Sequence, residues 1–147
     1  HSFRRARVGG EPRPAAREAI GIGVAARGAR AFREEGGISD EVLAGELDVP
    51  VRTVRAILGD LEVGGIVSLR GADGRDAYQL GRAADAISIA QVLEALRGRS
   101  APAGRELPPD HSVRALVADV ERGIVRALDD RTLADLAGAV PPSGAAR

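Results

Sequence analysis

The chain has 147 residues, the length of a single domain, and its 44% hydrophobic and 29% charged residues are typical of a folded protein. Twenty-one basic residues balance twenty-one acidic ones, so the net charge gives no general attraction to nucleic acid. The sequence contains no cysteine, which excludes a disulfide, a thiolate nucleophile and a cysteine-held iron–sulfur cluster. No uncharged run approaches the roughly 20 residues that span a bilayer, and we expect a cytoplasmic protein.

The first fourteen residues are predicted to be a basic, flexible linker, because arginines alternate there with glycine and proline. The chain opens on His-Ser-Phe without a methionine, and we expect a piece of a longer protein with a tag remnant at its front. Residues 15–35 are rich in helix formers and predict a first helix. Within it, Gly21, Gly23 and Ala26 match the G-x-G-x-x-A pattern of dinucleotide-binding loops. Since no strand precedes them, we interpret these small residues as a place where another helix approaches closely.

Residues 38–80 predict a winged helix-turn-helix. Ser39 can cap a short second helix, and Pro50 marks the turn into a third helix at residues 50–63. On a helical wheel the third helix has one apolar arc, and the opposite face carries Arg52, Thr53, Arg55, Ala56, Gly59 and Asp60. Two strands, at 66–70 and 77–80, flank a turn-rich tip and form the wing.

The remainder of the chain predicts further helices. Ser88 and Gln91 match a capping box that opens a fourth helix, residues 112–128 have the most regular amphipathic pattern, and Thr132 with Asp135 suggests another capped turn. The fold class is therefore mainly α with a small β-hairpin wing: a winged helix-turn-helix plus C-terminal helices. The predicted organisation is a linker at 1–14, the winged helix-turn-helix domain at 15–98, a linker at 99–111, the amphipathic helix and capped turn at 112–138, and a tail at 139–147.

The polar face of the third helix is the predicted nucleic-acid contact, because arginine can donate two hydrogen bonds to guanine O6 and N7 in the major groove. The residues predicted to contact DNA are Arg52, Thr53, Arg55, Arg70 and Arg75. An alternative interpretation is that these are surface arginines of a domain that merely shares the fold. Asp60 and Glu62 would then repel phosphates, and acidic residues in the wing tip offset its arginines.

The apolar stripe of the helix at 112–128 has two interpretations: it packs back on the winged helix, which is the simpler expectation, or it pairs with a second copy of the chain. The stripe consists of Val113, Leu116, Val117, Val120, Ile124 and Leu128. Neither a catalytic, a metal nor a cofactor site is predicted, and we expect no enzyme. His111 is the sole histidine in the body of the chain, and its neighbours Asp110 and Ser112 are better read as helix-cap candidates.

The sequence resembles the cytosolic C-terminal region of the YihY/BrkB-like membrane proteins, formerly annotated ribonuclease BN. The resemblance rests on residues 31–32 (Ala-Phe), 47–54 (Leu-Asp-Val-Pro-Val-Arg-Thr-Val), 61–67 (Leu-Glu-Val-Gly-Gly-Ile-Val), 87–98 and 132–136 (Thr-Leu-Ala-Asp-Leu). It implies a non-catalytic regulatory or interaction domain, whose partner is the membrane-embedded N-terminal part of the same chain, at the cytoplasmic face of the inner membrane.

A second resemblance is to the IscR/NsrR-like winged-helix transcription regulators, carried by residues 68–71, 78–80, 87–93 and the same Thr-Leu-Ala-Asp-Leu. It implies a dimeric regulator with double-stranded DNA and a second copy of the chain as partners. Many of those regulators hold a three-cysteine cluster between the wing and the long helix, whereas this chain has no cysteine. The membrane-protein interpretation is the primary one, and a DNA-binding regulator without a metal cluster is the alternative.

Overall fold

The computed structural model describes residues 12–35, 37–72, 75–98 and 110–138, and the side chains of residues 34, 35, 71, 72, 75 and 76 are not among those described. Most of the predicted linkers and the whole predicted tail lie outside these residues. The elements in chain order are α1 (Pro14–Glu35), α2 (Asp40–Leu47), α3 (Val51–Val63), β1 (Val67–Ala72), β2 (Arg75–Leu80), a 3-10 turn (Ala84–Ala86), α4 (Ile89–Gly98), α5 (His111–Leu128) and α6 (Leu133–Ala137). The predicted fold class, mainly α with a two-stranded wing, is confirmed.

Helix starts follow the capping residues that the sequence predicts. The Ser39 hydroxyl accepts a hydrogen bond from the Val42 N–H at 3.2 Å and begins α2. At α4 the Ser88 N–H donates to the Gln91 side chain at 2.9 Å, and the Gln91 N–H donates back to the Ser88 hydroxyl at 3.1 Å. These caps depend only on neighbours in the chain, which is why the sequence locates them well.

The wing is an antiparallel hairpin whose register runs from Val67 opposite Leu80 to Ala72 opposite Arg75. Both strands are longer than predicted, because the ladder continues into the glycine- and aspartate-rich tip. The wing is also tied to the segment before α2. The Ile38 N–H donates to the Tyr78 carbonyl at 2.9 Å, and the Tyr78 N–H donates to the Ile38 carbonyl at 2.8 Å. This bridge holds the hairpin beside the helix-turn-helix.

The core is formed by aliphatic side chains from α1 to α4, the wing and α6. Its largest fully buried members include Val24, Leu43, Ile57, Leu61, Ile66, Ile87, Leu96 and Leu133. A Cβ built on Gly21 would lie 2.5 Å from Leu96 Cδ1, so α1 and α4 approach each other closely at this glycine. The interpretation of the small residues in α1 as a helix contact, and not a nucleotide loop, therefore agrees with the structure.

The amphipathic helix α5 contains no buried residue among its 18. Leu116 is 63% exposed and Val120 is 54% exposed, while Val113 and Val117 are also classed as exposed. Only the C-terminal end of the stripe is sheltered: Ile124 is half-buried, and Leu128 packs against the core. The expectation that the stripe packs back on the winged helix therefore fails for most of its length, since only its C-terminal end meets the core.

Candidate nucleic-acid interface

The turn between α2 and α3 is built by three residues, Asp48, Val49 and Pro50. Asp48 adopts a left-handed conformation with φ 55° and its N–H donates to the Ala44 carbonyl, which ends α2. The Val49 N–H also donates to the Ala44 carbonyl, at 3.1 Å. Pro50, with φ −60° and ψ 142°, then occupies the N-cap of α3. Proline has no N–H, and the N–H groups at a helix start have no acceptor within the helix, so no hydrogen bond is lost. This arrangement sets α3 against α2 in the manner of a helix-turn-helix.

One face of α3 is anchored in the core, and the other faces solvent. Val54, Ile57, Leu58 and Leu61 are fully buried or nearly so. Arg52 and Arg55 are exposed on the opposite face together with Ala56, and Thr53 is half-buried at its edge. Three of the five predicted DNA contacts, Arg52, Thr53 and Arg55, thus lie together on one outward-facing helix surface. We call this surface, which also includes Ala56, the α3 face.

Asp60 does not belong to the α3 face, and its predicted position on the outer side of the helix is wrong. Asp60 is only 7% exposed, and its carboxylate forms an ion pair with the guanidinium of Arg17 in α1. The same Arg17 donates from Nη1 to the Leu96 carbonyl of α4 at 2.8 Å. Asp60 therefore does not face a docked phosphate backbone. Glu62 is the exposed carboxylate that α3 retains near its C-terminal end.

Arg55 is paired with Asp40 at the start of α2. The Arg55 Nε donates to Asp40 Oδ2 at 2.5 Å. Asp40 raises the pKa of Arg55, first through this hydrogen bond and then through its charge, so the guanidinium remains protonated. The sequence indicates Asp40 as a first-turn acid that suits the helix dipole, but its partner lies 15 residues away and carries no local signal.

The wing carries two of the predicted DNA contacts, of which the Arg70 side chain is described. Arg70 in β1 is exposed and lies opposite Ala77 in the hairpin register. Arg75 begins β2, directly opposite Ala72, but its side chain lies outside those described. The structure therefore places Arg70 and Arg75 on the same hairpin, near its tip, and on a different element from the α3 face.

Most of the chain matches the model of a known family of regulators. Residues 29–139 match the family model for Rrf2, described as an iron-dependent transcriptional regulator. The chain belongs to the Rrf2 family. The match covers the helix-turn-helix, the wing, α4, α5 and α6, and no curated protein matches the chain.

Several solved structures have the same fold as this chain, and the similarity covers most of both chains. CymR (YrzC), the global cysteine regulator of B. subtilis, is 23% identical with a TM-score of 0.65, covering 85% of this chain and 95% of that one. IscR of T. potens is 19% identical with a TM-score of 0.65, covering 89% and 90%. CymR of Staphylococcus aureus is 22% identical with a TM-score of 0.64, covering 86% and 98%.

Membership of the Rrf2 family supports the second resemblance, to the IscR/NsrR-like regulators, and corrects the primary one. The YihY/BrkB-like interpretation finds no support among these matches, and neither does a membrane-embedded partner. No helix among the described residues is both long and apolar enough to cross a bilayer. Residues 87–93 and 132–136 belong to both resemblances, so these segments do not distinguish the two families.

The description of the Rrf2 family includes iron, but this chain offers few side chains that could bind it. The sequence has no cysteine, so thiolate ligation of iron or of an iron–sulfur cluster is excluded. Within the four described ranges, no group of three or more His, Asp or Glu side chains could hold a metal ion. His111 is exposed at the first turn of α5, where the Asp110 carboxylate accepts from the Ser112 N–H at 2.9 Å. These residues do not fit an iron site.

Proposed function

We propose that this Rrf2-family chain is a non-catalytic, dimeric transcription regulator that binds double-stranded DNA in the cytoplasm and inserts the α3 face into the major groove. The observation that carries the proposal is the α3 face itself. Arg52 and Arg55 project from a helix whose other side is locked in the core by Ile57 and Leu61. A helix-turn-helix reads base edges with the N-terminal part of its second helix, and these arginines lie in the first two turns of α3.

The charges around the α3 face suit base readout better than simple attraction to phosphates. Asp40 offsets Arg55, Glu62 lies near the C-terminal end of α3, and the chain as a whole is neutral. A protein with few uncompensated cations gains little affinity from counterion release. We therefore expect weak non-specific binding, with most of the affinity supplied by base contacts and by the use of two half-sites.

A second copy of the chain reads the second half-site of the DNA. The two copies pair through the exposed stripe of α5. A helix of 18 residues is roughly 27 Å long, and its apolar side chains Val113, Leu116, Val117 and Val120 are exposed in the single chain. Pairing of two such stripes about a two-fold axis buries both with no additional sequence. A symmetric dimer then presents two copies of α3 to successive major grooves.

The proposal can be tested with a pool of duplexes that carry a randomised central segment of about 25 base pairs, enough for two half-sites one helical turn apart. The wild-type chain should enrich an inverted repeat, which is then fluorescently labelled and titrated at about 100 mM salt. Arg52→Ala and Arg55→Ala should each weaken binding by roughly 5- to 100-fold, since a good bidentate base contact is worth about 1–3 kcal/mol. Arg122→Ala, which removes an exposed arginine of α5 paired with Asp119, is the matched control.

Two outcomes would contradict the proposal. Failure of the wild type to enrich any sequence, or binding that Arg52→Ala, Arg55→Ala and Arg122→Ala weaken to the same small extent, would mean that the α3 face does not read DNA.

A further inference from the structure

We propose that Asp40 positions the guanidinium of Arg55 for base readout and so acts as a specificity-determining residue of the DNA site. This inference rests on the proposed function, because it requires that Arg55 contacts a base. Asp40 itself does not contact DNA in this proposal. The contact joins α2 to α3: Arg55 Nε donates a hydrogen bond to Asp40 Oδ2 at 2.5 Å.

Asp40 is held by the protein, whereas Arg55 reaches into solvent. The Asp40 side chain is 14% exposed and that of Arg55 is 59% exposed. The other carboxylate oxygen, Oδ1, accepts the Glu41 N–H at 2.8 Å. Because Asp40 occupies the first position of α2, it also lies where the positive end of the helix dipole stabilises a carboxylate. Asp40 is thus a fixed acceptor against which a long, mobile side chain can be oriented.

The atom that contacts Asp40 decides what Arg55 can still bind. A guanidinium carries five N–H donors, one on Nε and four on Nη1 and Nη2. Pairing through Nε leaves the terminal nitrogens for a bidentate contact, and guanine offers O6 and N7 as matched acceptors in the major groove. The bond therefore orients the guanidinium without occupying the donors that a base requires.

The same contact disfavours binding of Arg55 to phosphate. A phosphate oxygen would lie close to the Asp40 carboxylate, and like charges repel, whereas the neutral edge of a guanine does not suffer this penalty. Asp40 should consequently lower affinity for unrelated DNA while it raises discrimination at one base pair. An arginine that is merely neutralised on the surface would show the first effect without the second.

The test compares Asp40→Asn with Glu41→Gln in the full chain. Both variants remove one negative charge from the first turn of α2, but only the first replaces the carboxylate that binds Arg55, leaving a neutral amide in its place. The probes are the duplex selected by the wild type, the set of its single base-pair substitutions, and an unrelated duplex of equal length. The base pair read by Arg55 is defined as the one at which Arg55→Ala loses discrimination.

We expect Asp40→Asn to reduce discrimination at that base pair by roughly 5- to 50-fold, a substantial part of what a bidentate contact supplies. Glu41→Gln should retain the discrimination of the wild type, and both variants should bind the unrelated duplex slightly more tightly. The urea midpoints of the two variants should stay close to that of the wild type, because the Arg55 side chain is largely exposed and an ion pair with a solvated partner adds little to stability. If Asp40→Asn is poorly folded, Asp40→Ser replaces it, since serine is also favoured at helix starts.

Unchanged discrimination in a folded Asp40 variant would overturn the inference, and so would an equal loss in Glu41→Gln. Tighter and more selective binding by Asp40→Asn would also overturn it, because the pair would then be an inhibitory contact. These results differ from failure of the proposed function, in which the wild type selects no duplex at all.

Discussion

Arg17 in α1 and Asp60 in α3 form an ion pair inside the fold, with only 20% and 10% of their side chains exposed. The two residues are 43 positions apart, and Arg17 also donates to the Leu96 carbonyl at 2.8 Å. One arginine thereby connects α1, the helix that carries the α3 face, and α4. Because a buried charge is costly when its partner is removed, the pair predicts a large effect of single substitutions.

Asp60→Asn should destabilise the protein by about 3 kcal/mol, near the lower end for buried pairs because both side chains keep some contact with water. The free energy of unfolding can be measured by urea denaturation. Glu62→Gln, which changes an exposed carboxylate of the same helix, should stay within about 0.5 kcal/mol of the wild type. In the double variant Arg17→Met with Asp60→Leu, much of the loss should be recovered. Equal, small effects of Asp60→Asn and Glu62→Gln would show that the pair contributes little.

Gly21 and Gly28 predict opposite responses to the same substitution in one helix. A Cβ at Gly21 would lie 2.5 and 2.6 Å from the two methyl carbons of buried Leu96, whereas a Cβ at Gly28 would meet nothing within 4 Å. Gly21→Ala should therefore destabilise by about 1–3 kcal/mol through overpacking. Gly28→Ala should stabilise by about 0.5–1 kcal/mol because alanine is the better helix former. Thermal or urea unfolding measures both, and a stabilising Gly21→Ala would show that α1 and α4 are not in close contact.

The stripe of α5 predicts a dimer that a single charge disrupts. Val120 is 54% exposed in the single chain, and Val120→Glu should place a carboxylate inside the proposed apolar interface and yield a monomer. Ala115 is exposed on the same helix, roughly 140° around the axis from Val120, so Ala115→Glu should remain dimeric. Sedimentation velocity reads out the mass of each variant. A monomeric wild type, or a dimer that tolerates Val120→Glu, would refute the assignment of this stripe.

The charges of Arg55 and Arg97 predict no change of stability with pH near neutrality. Arg55 donates a hydrogen bond to Asp40 and Arg97 donates one to Glu18, and these contacts raise the pKa values of the two guanidinium groups. A raised pKa contributes stability that is fully present below the unfolded-state value and is lost only as the pH rises through the folded-state value. Urea midpoints can be measured between about pH 6 and about pH 9. Replacement of either arginine by glutamine should leave the slope of the midpoint against pH unchanged. A wild-type midpoint that falls across this range, and a slope that Arg97→Gln abolishes, would contradict this account.

Local chemistry was the part of the fold that could be predicted. The caps at Ser39, Ser88 and Thr132 depend on hydrogen bonds to residues three positions away, so the sequence predicts all three caps and the partners of the last two, Gln91 and Asp135. The apolar arc of α3 follows from the 3.6-residue period in the same way. Asp60 is the exception, since the wheel places it on the polar face although it is buried in the fold. A wheel cannot show that Arg17 of another helix is present to pair with it.

What the sequence determined by itself was the order of the elements, the helix-turn-helix with its wing, and the arginines on the outer side of α3. Only the tertiary structure decided how those arginines are held and which apolar stripe stays uncovered. Arg55 meets Asp40 across 15 residues, and Arg97 meets Glu18 across 79, because folding brings separate helices together. Such contacts depend on the packing of the whole core, whereas caps and periodicity depend on a few neighbours. The distinction applies to the candidate site: the outward-facing residues of α3 could be predicted from the sequence, and the contact between Arg55 and Asp40 could not.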